Sequence, residues 1–322
     1  MSDEDRAFEV GDVAPSSLSH LIGQRGVIDQ IKVAVDAAFF DNKKIDHCLL
    51  VGPAGLGKSA LARVIAAEMA TSFHEVLGQS ISSLADLNAL LLAAKEKDVV
   101  HIDEAHELGK EHQTALYLAC DQRRVFINGG GKGRTPQHIP VADFTLLLST
   151  TDEYCLLQPL RDRMKLLLRF EFYSTEEITQ VVFHRSKALR WDVDEMVLPE
   201  IAQRSRGTPR LGLRLLQSCR RVCRANSEET ITVEHLQRAC QLERIDALGL
   251  GPTEQHYLML LAEGPTRLNV LASRLGLPTR TVSQVTEQFL VRVGLINKDH
   301  QGLRELTAFG HQYVASYRQE SV

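Results

Sequence analysis

Aromatic residues make up only 6% of this 322-residue sequence, and no stretch reaches the roughly 18 consecutive apolar residues that a membrane-crossing helix needs. A membrane-spanning protein is therefore not expected. The opening residues, Met1-Ser2-Asp3-Glu4-Asp5, are acidic where a secretion signal is basic, so secretion is not expected either. Cysteine pairs are missing too. Cys48, Cys120, Cys155, Cys219, Cys223 and Cys240 form no C-x-x-C unit and no framework spacing, which speaks against a disulfide scaffold and fits reduced thiols in a cytoplasmic protein. Cys219 and Cys223 would share a helix face, but without His or Cys partners nearby they do not make a zinc site. Nor is there an excess of charge: 37 Lys and Arg against 41 Asp and Glu leave −4, so nucleic-acid affinity must come from local basic surface. Internal repeats and low-complexity tracts are absent.

What is present is the composition of a folded chain, 44% hydrophobic and 24% charged, long enough for about two or three domains. Residues 1–17 read as a polar tail. From 18 to 172, short β-rich runs at 48–51, 99–102, 144–148 and 166–170 alternate with helical patterns, which predicts a parallel sheet with covering helices. The strand signal then disappears between 173 and 246, a segment opened by the capping-box spacing Ser174-x-x-Glu177 ahead of Ile178, Val181 and Val182. That predicts a helical subdomain. Two glycines and a proline at 246–252 suggest a hinge and a boundary. Across 247–322, three helical stretches and two strand-like runs, 295–298 and 303–306 around Asp299-His300-Gln301-Gly302, describe a winged helix-turn-helix.

The strongest chemical signal is Gly52-Pro53-Ala54-Gly55-Leu56-Gly57-Lys58-Ser59, which follows an apolar strand and precedes the helical run 60–69. Glycines let the loop turn its N–H groups inward around phosphate oxygens at a helix N-terminus. Lys58 is then expected to reach the β- and γ-phosphates, and Ser59 to give its hydroxyl to Mg²⁺. A second signal is Asp103-Glu104 at the end of the strand 99–102. Asp103 is expected to orient Mg²⁺ and Glu104 to act as general base on the attacking water. His101 and His106 do not complete a metalloprotease motif and read as surface or packing residues. The arginine-rich stretch 202–224, which has no acidic residue, reads as a solvated or intersubunit helix face.

Taken together, Leu21-Ile22-Gly23-Gln24, Asp46-His47, the phosphate loop, Asp103-Glu104-Ala105-His106, Ser149-Thr150-Thr151, Pro159-Leu160-Arg161-Asp162-Arg163 and Arg206-Gly207-Thr208-Pro209-Arg210 resemble the RuvB family of AAA+ ATPases. The resemblance runs from about Pro15 through the winged helix. It implies an α/β AAA+ P-loop domain with a helical lid and a C-terminal winged helix. It also implies ATP and Mg²⁺ as ligands, and a homo-hexameric ring that drives duplex DNA through a four-way junction beside a RuvA-like partner. Thr150 then matches the polar sensor, Arg163 the arginine finger that reaches a neighbouring subunit, and Tyr173 and Arg210 residues that touch the nucleotide. Ile22, Gly52, Gly55, Gly57, Ala60 and Asp121 complete the expected nucleotide contacts. A rigid guanidinium suits spread phosphoryl charge. The competing reading of Arg163 is a salt bridge to Asp162 or Glu171.

The sequence departs from the family pattern at four places. Ala14 replaces an Arg before Pro15. Pro136-Gln137-His138-Ile139 is mostly polar in the hairpin 124–139 that would dock RuvA. Asp152 replaces an Arg after the sensor. The wing around Gly302 carries Gln301, Leu303 and Arg304 in place of closely spaced arginines. From Gly251 onward seven basic residues face six acidic ones, so DNA contact is expected to be local, through Arg280, Lys298 and Arg304. A switch or loader resembling origin-recognition or clamp-loading AAA+ proteins is the alternative function. A winged-helix regulator without catalysis fits poorly with Asp103, Glu104 and Arg163.

Overall fold

A computed structural model describes residues 14–127 and 137–320. They form two compact units, the first reaching to Leu189 and including Gly207–Leu213, the second made of Arg190–Arg206 and the chain from Arg214 onward. The first unit contains, in chain order, α1 (Arg25–Phe40), β1 (Cys48–Val51), α2 (Lys58–Glu68), β2 (Phe73–Leu77), α3 (Leu84–Ala93), β3 (Val99–Asp103), α4 (Lys110–Gln122), the hairpin β4 (Arg124–Ile127) and β5 (Gln137–Pro140), β6 (Thr145–Thr150), α5 (Gln158–Arg161), β7 (Leu166–Arg169) and α6 (Thr175–Ala188). Pro136 of the expected docking hairpin lies outside the described residues.

The main sheet has the order β2-β3-β6-β1-β7 with every pairing parallel. Parallel neighbours need crossover connections, which the helices supply on both faces. The residues alternate accordingly. Cys48 and Leu50 of β1 pack with α1 and α2. Leu49 packs with α3 and α4 on the other face. β6 is buried at all six positions, as a strand covered on both sides must be. The sequence pattern does not single out β2, which is only partly buried and carries His74 and Glu75 in its middle.

Two histidines, His47 half-buried and His101 buried, tie the strands together. His47, just before β1, accepts the Leu146 N–H through Nδ1 at 2.8 Å, and burial holds its pKa down at about 3. His47 thus pins the start of β1 to β6 through a neutral imidazole. His101 has no exposed surface. Its Nδ1 lies 3.2 Å from Glu75 Oε1 and its Nε2 2.8 Å from Ser149 Oγ. A carboxylate only accepts, so Nδ1 carries the hydrogen and the Ser149 hydroxyl donates to Nε2.

The second unit contains α7 (Val197–Gln203), most of α8 (Pro209–Ala225), α9 (Val233–Glu243) and the winged helix. The latter runs through α10 (Pro252–Leu261), β8 (Thr266–Arg267), α11 (Leu268–Leu275), α12 (Thr279–Thr281), α13 (Glu287–Arg292), β9 (Ile296–Lys298), β10 (Leu303–Leu306) and α14 (Ala308–Glu320). A π-helical turn at Val282–Thr286 joins α12 to α13. Tyr257, Leu258, Leu271, Val282, Leu290 and Leu295 fill its core. β8 adds a third strand to the expected hairpin, in the order β8-β10-β9.

The segment 246–252 is a braced turn. Asp246 Oδ1 accepts the N–H groups of Leu248 and Leu250, and a Cβ on Gly249 (φ +76°) would stand 2.2 Å from the Arg204 carbonyl oxygen. Part of the arginine-rich stretch is engaged, Arg204 with Glu200, Arg206 with Glu254, Arg214 with Glu243 and Arg220 over the Trp191 ring, while Arg210, Arg214, Arg221 and Arg224 are exposed. The partners Glu200, Glu243, Glu254 and Trp191 all lie outside the stretch, so its local pattern does not show these pairings.

Candidate active site

The strand order sets the site. In a parallel sheet the loops after the strands gather at their carboxyl ends, and here β1, β3 and β6 deliver the phosphate loop, Asp103-Glu104 and Thr150 to one place. Gly52, Gly55 and Gly57 adopt φ of +152°, +82° and +95°. A Cβ at Gly52 would meet the Phe170 carbonyl oxygen at 2.8 Å, and one at Gly55 the Arg210 Cβ at 2.9 Å, so the loop requires glycine sterically as well as conformationally. The Lys58 ammonium donates to the Gly52 and Pro53 carbonyls at 2.6 and 2.8 Å. Burial pushes its pKa down to about 8, against the opposing pull of Asp103.

Ser59 Oγ donates to Asp103 Oδ2 at 2.7 Å, which puts a hydroxyl and a carboxylate at one point, a pair of hard oxygens suited to Mg²⁺. Glu104 sits at φ +52°, a sparsely populated conformation for a side-chain-bearing residue, and its N–H donates to Asp103 Oδ1 at 2.9 Å. Gly78 lies beneath it, since a Cβ there would stand 2.6 Å from the Glu104 carbonyl oxygen. The Thr150 hydroxyl donates to the Asp152 carbonyl at 3.0 Å, accepts the Asp152 N–H at 3.0 Å and lies 3.2 Å from His106 Nδ1.

These groups open on a cleft of about 1040 Å³. Ile22, Gly55, Gly57, Lys58, Ser59, Ala60, Asp103, Glu104, Thr150, Tyr173 and Arg210 all line it, with Ala14 and Pro15. Tyr173 donates from its hydroxyl to the Leu56 carbonyl, its backbone N–H reaches the Gly207 carbonyl, and burial raises its pKa to about 12. Arg210 is fixed over the loop by its N–H to the Gly55 carbonyl at 3.3 Å. Asp121 and Arg163 are not at this cleft. They pair with each other through two hydrogen bonds, so the carboxylate that holds Arg163 is neither Asp162 nor Glu171. The residue that sequence reasoning undervalued is His106, half-buried in the cleft wall against Thr150. Its place three residues after Asp103 was the available signal.

Comparison with known proteins fits this geometry. The family model of the Holliday junction DNA helicase RuvB P-loop domain matches residues 13–170, that of the RuvB AAA lid domain 173–246, and that of the RuvB C-terminal winged helix domain 247–315. The chain belongs to the RuvB family. The Holliday junction branch migration complex subunit RuvB of Ehrlichia ruminantium (strain Gardel) is 35% identical over 291 residues, covering 89% of this chain and 88% of that one. The subunit of the same name from Clavibacter michiganensis is 36% identical over 306 residues, covering 94% and 85%. The solved Thermotoga maritima RuvB Holliday junction branch migration motor superposes with a TM-score of 0.83 at 31% identity, over 94% of this chain and 97% of that one. The Aeropyrum pernix ORC2 protein, at 14% identity and a TM-score of 0.55, shares the fold alone. As a RuvB-family P-loop ATPase the chain binds nucleotide and hydrolyses ATP. No helix among the described residues is long and apolar enough to cross a membrane.

The residues expected at RuvB-type DNA contacts differ in their surroundings. Arg280 is exposed and, among the described residues, donates to Gln284 Oε1 at 3.1 Å. Lys298 and Arg304 both turn onto Glu287, whose side chain has no exposed surface: Lys298 Nζ lies 2.8 Å from Oε2 and Arg304 Nε 2.9 Å from Oε1. The buried Tyr257 hydroxyl donates to the same carboxylate at 2.8 Å. Burial would raise the Glu287 pKa, but the hydrogen bonds from Arg304, Lys298 and Tyr257 outweigh it and hold the carboxyl below its ordinary value. Arg304, with 11% of its side chain exposed, serves the fold of the wing.

Proposed function

We propose that this protein is the ATP-driven motor of a RuvB-type branch migration machine, a cytoplasmic hexameric ring that pulls duplex DNA through a four-way junction. The observation that carries this reading is the single cleft in which the phosphate loop, Ser59, Asp103, Glu104, Thr150 and Arg210 meet, in a chain that also ends in a winged helix. Ser59 and Asp103 would hold Mg²⁺, which when bound neutralises phosphate charge. Lys58 and the loop N–H groups bind the β- and γ-phosphates, Glu104 takes a proton from the attacking water, and Thr150 and Arg210 stabilise the transferred group. Arg163, outside its own cleft, reaches a neighbour's γ-phosphate across the ring. The hairpin 124–139 is the surface for a RuvA-like partner, and Arg280 and Lys298 contact DNA phosphates.

Electron microscopy of the protein with a slowly hydrolysed ATP analogue, a RuvA-like partner and a synthetic four-way junction tests this. Rings flanking the junction, together with ATP-dependent branch migration, are expected. Nucleotide-dependent DNA binding with neither rings nor strand exchange would return the function to a switch or loader.

A further inference from the structure

Arg163 is held in a way that its expected role does not require. Its Nε donates to Asp121 Oδ1 at 3.0 Å and its Nη2 to Asp121 Oδ2 at 2.5 Å, a bidentate clamp on one edge of the guanidinium. Nη1 donates to the Pro159 carbonyl at 3.0 Å, and Cζ lies over the Tyr117 ring, 5.4 Å from its centre. Tyr117 and Asp121 are one turn apart on α4 and share a face, so one helix supplies both the floor and the clamp. A guanidinium has five N–H groups, and these contacts take three, leaving one on Nη1 and one on Nη2. With Nε and Nη2 clamped side by side on Asp121, the hydrogen left on Nη2 lies on the tip, the edge away from the chain. The clamp and a phosphoryl group can therefore be satisfied together.

We infer that Asp121 is a positioning residue, which fixes the Arg163 guanidinium on its side edge so that the tip edge points to the neighbouring subunit's nucleotide. The arrangement has a physical logic. An unrestrained arginine samples many rotamers, and immobilising so long a side chain costs conformational entropy. A clamp formed within the subunit imposes that order before the neighbour arrives, so less of the interfacial interaction is spent on it. The Arg163 hydrogen bonds also hold the Asp121 carboxyl below its ordinary pKa, as expected of a carboxylate clamped on a guanidinium. This departs from reading Asp121 as a nucleotide contact, and it rests on the proposal that Arg163 acts across the ring.

The test compares Asp121→Ala, Asp121→Asn, Arg163→Ala and the double variant Asp121→Ala/Arg163→Ala in the full chain, with binding of a fluorescent ATP analogue as the control for folding. Asp121→Ala is expected to lower kcat about ten- to a hundredfold without changing KM for ATP, a loss of alignment rather than of binding. Asp121→Asn should behave alike, because its amide turns a donor toward a donor. The double variant should be no slower than Arg163→Ala alone. Mixing Asp121→Ala subunits with Glu104→Gln subunits should restore hydrolysis, since the Glu104→Gln subunit lends an intact clamped finger. If mixing rescues Arg163→Ala but not Asp121→Ala, or if the double variant is slower than Arg163→Ala by the full Asp121→Ala factor, Asp121 works independently of the finger and the inference falls. A rise in kcat in Asp121→Ala would also overturn it, by making the clamp a restraint. If mixing rescues neither variant while the subunits co-assemble, the failure lies with the trans role of Arg163 itself.

Discussion

The nucleotide cleft and the wing both gather cations, and they surround them differently. In the cleft the Lys58 ammonium rests on two carbonyl oxygens, and the Arg210 backbone is tied to the phosphate loop. In the wing Lys298 and Arg304 close on one fully buried carboxylate. Carbonyl dipoles orient a charge without cancelling it, so the cleft keeps its attraction for phosphate. A buried carboxylate cancels one full charge and fixes the strands that carry its partners. Cations counted on a sequence therefore say little about anion binding until their partners are known.

The largest expected effect is in the cleft. Lys58→Ala should abolish tight ATP binding, because nothing else in the loop carries a full positive charge, whereas Glu104→Gln should bind ATP and turn it over at least a hundredfold more slowly. Titration calorimetry beside steady-state hydrolysis separates the two, and equal nucleotide affinity in wild type and Lys58→Ala would break the comparison at its root.

The wing predicts the opposite kind of loss. Glu287→Gln leaves two cations without their buried counter-charge and should destabilise the C-terminal unit by about 3 kcal/mol, near the lower end for a broken buried pair because Lys298 keeps part of its solvent. Amide hydrogen exchange over residues 295–306 reads this directly; unchanged protection there would mean that the carboxylate does not hold the wing together.

The smallest effect sharpens the comparison on DNA. Removing one phosphate contact lowers the log-log salt slope by about 0.9 on duplex DNA. Arg280→Ala should show that drop, and Arg304→Ala should not, because its charge is already spent on Glu287. Salt titrations on two unrelated duplexes decide between them; equal drops for both variants would put Arg304 back among the phosphate contacts.

Much of this was legible along the chain. The phosphate loop, the Asp103-Glu104 pair and the Ser174-x-x-Glu177 capping box are local patterns whose chemistry depends on spacing within a few residues. The capping box forms as read, with Ser174 and Glu177 exchanging hydrogen bonds. β2 was not legible, because its centre is polar for the sake of partners on other strands, Glu75 meeting His101 on the neighbouring β3. Nor was the use of His47, whose acceptor role needs Leu146, 99 residues away in sequence.

By itself, then, the sequence determined where the glycine-rich nucleotide loop lies, which carboxylates accompany it and in what order the α/β, helical and winged parts follow. Each of these is fixed by residue type over short spans. Only the tertiary structure decided which charges remain available. Arg163 reads the same on paper whether it is clamped by Asp121 or free, and so does Arg304 whether it meets Glu287 or water. The reason is that a side chain's electrostatic worth is set by the groups folding brings within about 3 Å of it, and those groups come from distant parts of the chain.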